Sequence, residues 1–248
     1  MSIADKLTTI AENTQKVHEA GKKAEHDAFW DSYQHKGART NYPAYSFYGE
    51  GFDFDNFYPK YDIKPNGTCL YLFYAWEKSG RNIKGSLKQR LEECGVVLDT
   101  SNVTNFSHAF NYSRFNEIPT INCLNFGANT SSLFSNDWGA LITIEKLIVN
   151  EAVTYKSWFV NSNNLTNITF EGTIGQSIDF QYSKKLSKAS IDNIAIALST
   201  TASGMTLTLS KDAVNAAYET SEGAKDGSTS AAWSAIVNSR TNWTISLI

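Results

Sequence analysis

The stretch SNNLTNITFEG, residues 162–172, places Leu165 three positions before Ile168 and Phe170 two positions beyond it, with Asn, Thr and Ser between. It is too polar for a buried strand and too short for an amphipathic helix. Its meaning depends on whether the spacing recurs. It does: CLYLFYAWEKSGRNIKGSL, FSHAFNYSRFNEIPTINC, SSLFSNDWGALITIEKLIVN, YKSWFVNSNNLTNITFEG and QSIDFQYSKKLSKASI follow in order from Cys69. Each piece holds a Phe (Phe73, Phe110, Phe134, Phe159, Phe180) and then a polar turn. In the last four an apolar residue follows (Phe115, Leu141, Leu165, Leu186), and three places later another (Ile118, Ile144, Ile168, Ala189). The last three Phe-to-Phe intervals are 24, 25 and 21 residues.

Self-similarity at this period predicts a solenoid. Each unit buries only a few side chains, so it needs few apolar residues, and neighbours stack into one continuous core. Asn, Ser and Thr suit the turns, where their side chains bond nearby backbone. The segment after each Leu-x-x-Ile is expected to form a short strand, and the strands together a narrow parallel sheet. The uneven spacing and the small Ala189 make the repeat irregular.

Around this region, residues 68–192, the chain divides into three further segments. Residues 1–34 are helix formers without Pro. Ile3, Leu7, Ile10, Thr14, Val17, Gly21, Ala24 and Ala28 follow strict 4-3 spacing, the seam of a coiled coil. A surface helix packed on its own domain fits this pattern too. Glu, Lys and Gln between the seam positions, with no second apolar stripe, favour a self-associating stem built on Ile3, Leu7, Ile10 and Val17. Residues 35–67 are rich in Tyr, Phe, Gly and Asp and read as an irregular cap or linker. Asp53 and Asp55 there lack the further oxygen ligands of a calcium loop. Between the first two repeat units, Leu87 to about Cys94 reads as an inserted helix stopped by Gly95. Residues 193–248 read as a C-terminal α/β cap, with helices near 188–199, 211–219 and 229–238 and strands near 204–209 and 243–248. The predicted fold class is therefore α/β: an irregular solenoid with a narrow parallel sheet, an N-terminal coiled-coil helix and an α/β cap.

The phrases MSIADKLTTIAENTQKVHEAGKKAEHDAFWD, LKQRLEECGVVLDTSN, FEGTIGQ, KLSKASI and NWTISLI carry a more specific likeness. With the Phe…Leu-x-x-Ile units, the chain resembles the BspA-like branch of leucine-rich repeat proteins, and in particular small repeat proteins of Firmicutes phages and prophages. The resemblance implies a leucine-rich-repeat solenoid and a virion- or tail-associated surface protein found beside tail and baseplate components. The implied partners are phage tail and baseplate proteins and a bacterial cell-surface glycan or protein. The implied role is host-surface recognition, with a structural or accessory virion role as the alternative. It brings no catalytic motif.

Composition limits the other classes. A net charge of −3 provides no basic footprint for nucleic acid. No apolar run approaches the roughly 18–20 residues of a membrane-spanning helix. The start lacks the basic and apolar regions of a signal peptide, so synthesis and folding in a host cytoplasm are expected. The three cysteines, Cys69, Cys94 and Cys123, have neither disulfide-framework nor zinc spacing and read as reduced core residues. The four histidines are scattered, no nucleophile elbow or phosphate loop occurs, and Glu92-Glu93 reads as a solvated helix face. The sequons at Asn66, Asn105, Asn164 and Asn167 read as turn residues. No catalytic residue, metal site or cofactor is expected. Binding is, and its candidates are the aromatics in or near the units: Trp76, Trp138, Tyr155, Trp158 and Tyr182. Aromatic faces stack on sugars or anchor a protein, although packing between units is the competing use of the same rings. Trp138, in the polar turn SNDWGA, is the leading candidate for exposure. The helical stem predicts a homo-oligomer, dimer or trimer.

Overall fold

The computed structural model describes residues 3–33, 47, 57–74, 85–135, 140–218 and 231–248. The chain is a mixed α/β structure with small parallel sheets. Its organising feature is a column of phenylalanines. Phe47, Phe73, Phe110, Phe134, Phe159 and Phe180 stack face to face, with successive ring centroids 5.0, 5.2, 5.5, 5.8 and 4.4 Å apart. The ring planes tilt by no more than 23° from one to the next. All six rings are buried. Five of them are the residues that the repeat spacing singles out. The sixth, Phe47, extends the column into the segment read as a linker.

The backbone repeats with the rings. The N–H of Phe47, Phe73, Phe110 and Phe134 each donates to the carbonyl just before the next phenylalanine, those of Leu72, Ala109, Leu133 and Trp158. Two residues before four of the rings the backbone is left-handed: Tyr71, His108, Ser132 and Ser157 have φ between 54° and 58°. Non-glycine residues avoid this region. Its recurrence at the same position of four units shows that the turn requires it, and that stacking holds it. Local side-chain bonds complete the turns: Asp99, Asn105, Asn122, Asn150 and Asp179 each accept the N–H two residues ahead.

The strands follow the second half of the repeat. β1 (Asn66–Thr68) pairs with β3 (Asn102–Asn105). β2 (Gly85–Ser86), β4 (Phe115–Ile118), β5 (Ile121–Asn122), β6 (Thr143–Val149) and β7 (Asn167–Gly172) form one parallel sheet. Ile118, Ile144 and Ile168 lie directly across from one another, so the Leu-x-x-Ile spacing reads out the strand register. Pro119 and Thr120 divide β4 from β5. Proline has no N–H to give the ladder, and β6 consequently pairs with β4 along one half and with β5 along the other. At the end of β7 the chain packs too closely for a side chain: a Cβ on Gly172, whose φ is +102°, would lie 2.0 Å from the Val149 carbonyl oxygen.

The last unit departs from the strand of the other repeats and matches the helix read near 188–199. Ala189 lies in helix α3 (Lys188–Ala197), which packs on the β7 edge. There Ser190 Oγ accepts the Ile168 N–H, while Asn193 accepts the N–H of Phe170 and donates to its carbonyl. Two helix side chains thus satisfy backbone groups that another strand would otherwise pair. A small residue at 189 belongs to this helical substitution. Parallel pairing nevertheless crosses residue 192: β8 (Ile178–Phe180), β9 (Met205–Leu209) and β10 (Trp243–Leu247) form a second sheet with β9 in the middle.

The remaining helices agree with the sequence reading: α1 (Ile3–Tyr33), α2 (Leu87–Cys94), α4 (Lys211–Tyr218) and α5 (Ala231–Asn238). α2 starts where Ser86 Oγ accepts the Gln89 N–H and stops at Gly95, left-handed at φ 67°. Its insertion accounts for the longer interval between Phe73 and Phe110. Cys69 and Cys123 are buried free thiols, and Cys94 is partly exposed. Asp53 and Asp55 lie outside the described residues.

Because Phe134 touches rings above and below it, Phe134→Ala is expected to lower the unfolding free energy by about 3–5 kcal/mol. Leu124→Ala, at a residue 42% exposed, is expected to change it by less than about 0.5 kcal/mol. Urea denaturation of the two variants checks the difference.

Candidate functional site

Three surfaces remain after the core is assigned. The first is the outer face of the β2–β4–β6–β7 sheet. Phe115, Ile118, Ile144, Leu147, Ile168 and Phe170 point inward and are buried, which by strand alternation turns Glu117, Glu145 and Glu171 outward. Donors on neighbouring elements hold these carboxylates. Ser86 Oγ donates to Glu117 Oε2 at 2.5 Å. The N–H and hydroxyl of Thr120 both donate to Glu145 Oε2 at 3.0 Å. Lys88 lies 3.4 Å from Glu145 and from Glu92, and Lys146 lies 2.7 Å from Glu171. Exposed pairs of this kind contribute little stability, about 0–1 kcal/mol each. Chemically the face is a row of carboxylate acceptors from β4, β6 and β7 with the ammonium donors Lys88 and Lys146 among them, able to bind an extended polar ligand by hydrogen bonding.

Glu145 is the most constrained of the row. Burial pushes its carboxyl up, but the Thr120 hydrogen bonds and the Lys88 charge outweigh burial and hold it below its ordinary value. Glu92 and Glu93 are exposed and ion-paired to Lys88 and Arg90, the solvated face that the sequence suggests.

The second surface runs along the turns of the first two units. The Tyr71 and His108 rings stack at 4.8 Å and 8°. Tyr74 meets Tyr71 edge-on at 5.2 Å and Tyr112 at 5.7 Å. All four rings are partly exposed. Asn111 Nδ2 lies 2.9 Å from His108 Nδ1, within hydrogen-bonding distance. Burial lowers the His108 pKa, favouring the neutral imidazole. Sequence reasoning misses this cluster. The signal was present: Tyr71 and His108 stand two before a column phenylalanine, and Tyr112 two after one, where side chains leave the core.

The third surface is α1. Leu7 and Ile10 are each 61% exposed and Val17 73%. Every residue from Ala4 to His18 is exposed, so over this length the helix does not pack on its own domain. Ile3, by sequence position, begins the same stripe.

The aromatic candidates separate. Tyr155 and Trp158 are core residues, which corrects their reading as ligand-binding aromatics. Trp158 is fully buried, touches Phe126, Phe134, Tyr155 and Phe159, and donates from Nε1 to the Thr130 carbonyl. Tyr155 is buried against Trp158 and Phe170, and its hydroxyl has no hydrogen-bond partner among the described residues. Burial drives its phenol pKa far up, so it stays neutral. Tyr182 is half-exposed at the position of its unit that Tyr112 occupies in an earlier one. Trp76 and Trp138 lie outside the described residues.

Among the described residues, no group of three or more His, Cys, Asp or Glu side chains is placed to hold a metal ion. Among the same residues, no helix is long and apolar enough to cross a membrane. No family model, curated protein or solved structure matches the chain.

Two predictions follow from burial and charge. Glu145 has a depressed folded pKa, so its contribution to stability is present above the ordinary carboxylate range. It is lost as pH falls through the folded value. Glu145→Gln should therefore flatten the loss of stability as pH falls below the ordinary carboxylate range, read as urea midpoints against pH. Tyr155→Phe removes a buried hydroxyl without a partner and is expected to raise stability by about 1 kcal/mol; a decrease in the thermal midpoint would assign that hydroxyl a structural role.

Proposed function

We propose that this chain is a phage tail- or baseplate-associated binding protein. In this reading the stacked units are an irregular leucine-rich-repeat solenoid with an α/β cap. The N-terminal helix joins copies of the chain or docks them on the tail, and the repeat surfaces contact a glycan or protein of the host envelope without catalysis. The protein is made in the host cytoplasm and carried in the virion.

The observation that carries the proposal is the division of labour between two parts of the chain. α1 displays an apolar stripe to solvent, whereas the units behind it enclose their own core and expose polar and aromatic edges. A surface helix with uncovered Leu7, Ile10 and Val17 calls for a partner. Stacked units with a long regular surface suit an extended ligand. The resemblance of the N-terminal and C-terminal phrases to phage repeat proteins supplies the setting.

The charged strand face favours a second reading. Its carboxylates are already held by Ser86, Thr120, Lys88 and Lys146, as expected of a surface built for solubility or rigid spacing. On that reading the chain is an accessory virion protein that binds only other phage components.

Immunogold electron microscopy of phage particles, with an antibody against residues 60–248, separates these readings when combined with binding of purified protein to host cells. The proposal expects label at the tail tip and saturable cell binding. Label along the tail or head without cell binding would establish the accessory role. Unlabelled particles, with antigen present in the lysate, would overturn both.

A further inference from the structure

The stripe on α1 specifies how many copies come together, an inference that rests on the self-associating reading of the helix. In its 4-3 spacing Leu7 and Thr14 occupy the a positions, and Ile3, Ile10 and Val17 the d positions. Two-stranded parallel coiled coils prefer the reverse, β-branched residues at a and Leu at d; Leu at a with Ile at d shifts the preference to three or four strands. Two of the three e positions that flank the Ile3–Val17 seam agree, the third being His18. Ala4 and Ala11 are small, apolar and exposed, so the apolar face is wider than the a/d seam. A two-stranded seam leaves such e positions at its margin, whereas a larger bundle encloses them. Nor do the g positions supply charges that would pair two strands: Lys6 faces Ala11 and Asn13 faces His18 in the parallel register.

Thr14 fits the same arrangement. Its hydroxyl donates to the Ile10 carbonyl at 2.8 Å, within its own helix. The polar atom is therefore satisfied before association, and burying Thr14 in a bundle leaves no hydroxyl without a partner. Thr8 and Thr9, off the seam, make the same bond to Ala4 and Asp5. A helix of 31 residues with this composition and no packing along its first turns also gains its stability from neighbours more than from its own propensity.

We propose that α1 assembles in parallel with α1 of other copies of this chain into a bundle of more than two helices, three or four. The repeat units are then displayed as a cluster at one end of a stem about 46 Å long, at about 1.5 Å per residue.

The test is the solution mass of the full chain by light scattering after size exclusion, with sedimentation velocity at several concentrations. The chain mass is 27.6 kDa, and a mass about three or four times this is expected. A mass of two chains would overturn the inference while leaving self-association standing. A monomer at micromolar concentration would overturn both. A second variant set protects the result against misfolding. In Ile3→Leu, Leu7→Ile, Ile10→Leu and Val17→Leu combined, the seam acquires the a/d identities of a dimer. The mass is then expected to fall to two chains, with the near-ultraviolet circular dichroism of the stacked aromatics unchanged. A variant that keeps the parent's copy number would show that these identities do not set it, and would overturn the inference.

Discussion

Everything in the described body depends on the face-to-face contact between one phenylalanine and the next. Each unit, 21–26 residues long except for the one that carries α2, closes on too few apolar side chains to be stable alone. Ring stacking supplies what the unit lacks. It buries a large flat area at low side-chain entropy, with an aromatic contribution of about 0.5–1.5 kcal/mol per pair beyond area. It also imposes translation along one axis, since rings tilted by no more than 23° leave little freedom for one unit to rotate on its neighbour. The parallel strand register and the hydrogen bonds from the N–H groups of Phe47, Phe73, Phe110 and Phe134 to the next unit follow from that alignment.

The alignment is bought with strain in the turns. Tyr71, His108, Ser132 and Ser157 hold left-handed backbones that an isolated peptide would leave. They persist because the column on one side and the strand ladder on the other determine the path between them. Where the strand is given up, at the last unit, the compensation is also specific: Ser190 and Asn193 on α3 supply the hydrogen-bonding groups a strand would have offered. The same logic explains the protected edge. An open parallel edge invites pairing with another chain, and a helix laid over it removes the invitation.

Function sits on what the column does not use. The inward half of each strand is committed to the core, and so are Tyr155 and Trp158. The outward carboxylates, the Tyr71–Tyr74–His108–Tyr112 edge and the α1 stripe are the parts free to specialise. Clustering several copies through α1 would multiply whatever affinity one repeat surface has, because linked sites bind at high effective concentration.

Much of the architecture was legible in residue spacing. The five phenylalanines and the Ile118, Ile144 and Ile168 positions could be read because stacked units repeat their chemistry at fixed intervals, and α2 could be bounded because Gly95 ends it. The helix α1 was legible because helical periodicity is local. Tertiary structure decided the rest. Phe47 joins the column from a segment without visible repeat, since only three-dimensional stacking brings it beside Phe73. That α3, itself legible as a helix, lies on the β7 edge and satisfies its backbone through Ser190 and Asn193 is a condition set by residues across the fold. Whether an aromatic serves the core or the surface was the hardest question for sequence. Tyr155 and Trp158 face inward and Tyr112 faces outward because of where each stands relative to a ring in the neighbouring unit. Composition is blind to that relation, and spacing reveals it only once the column is known.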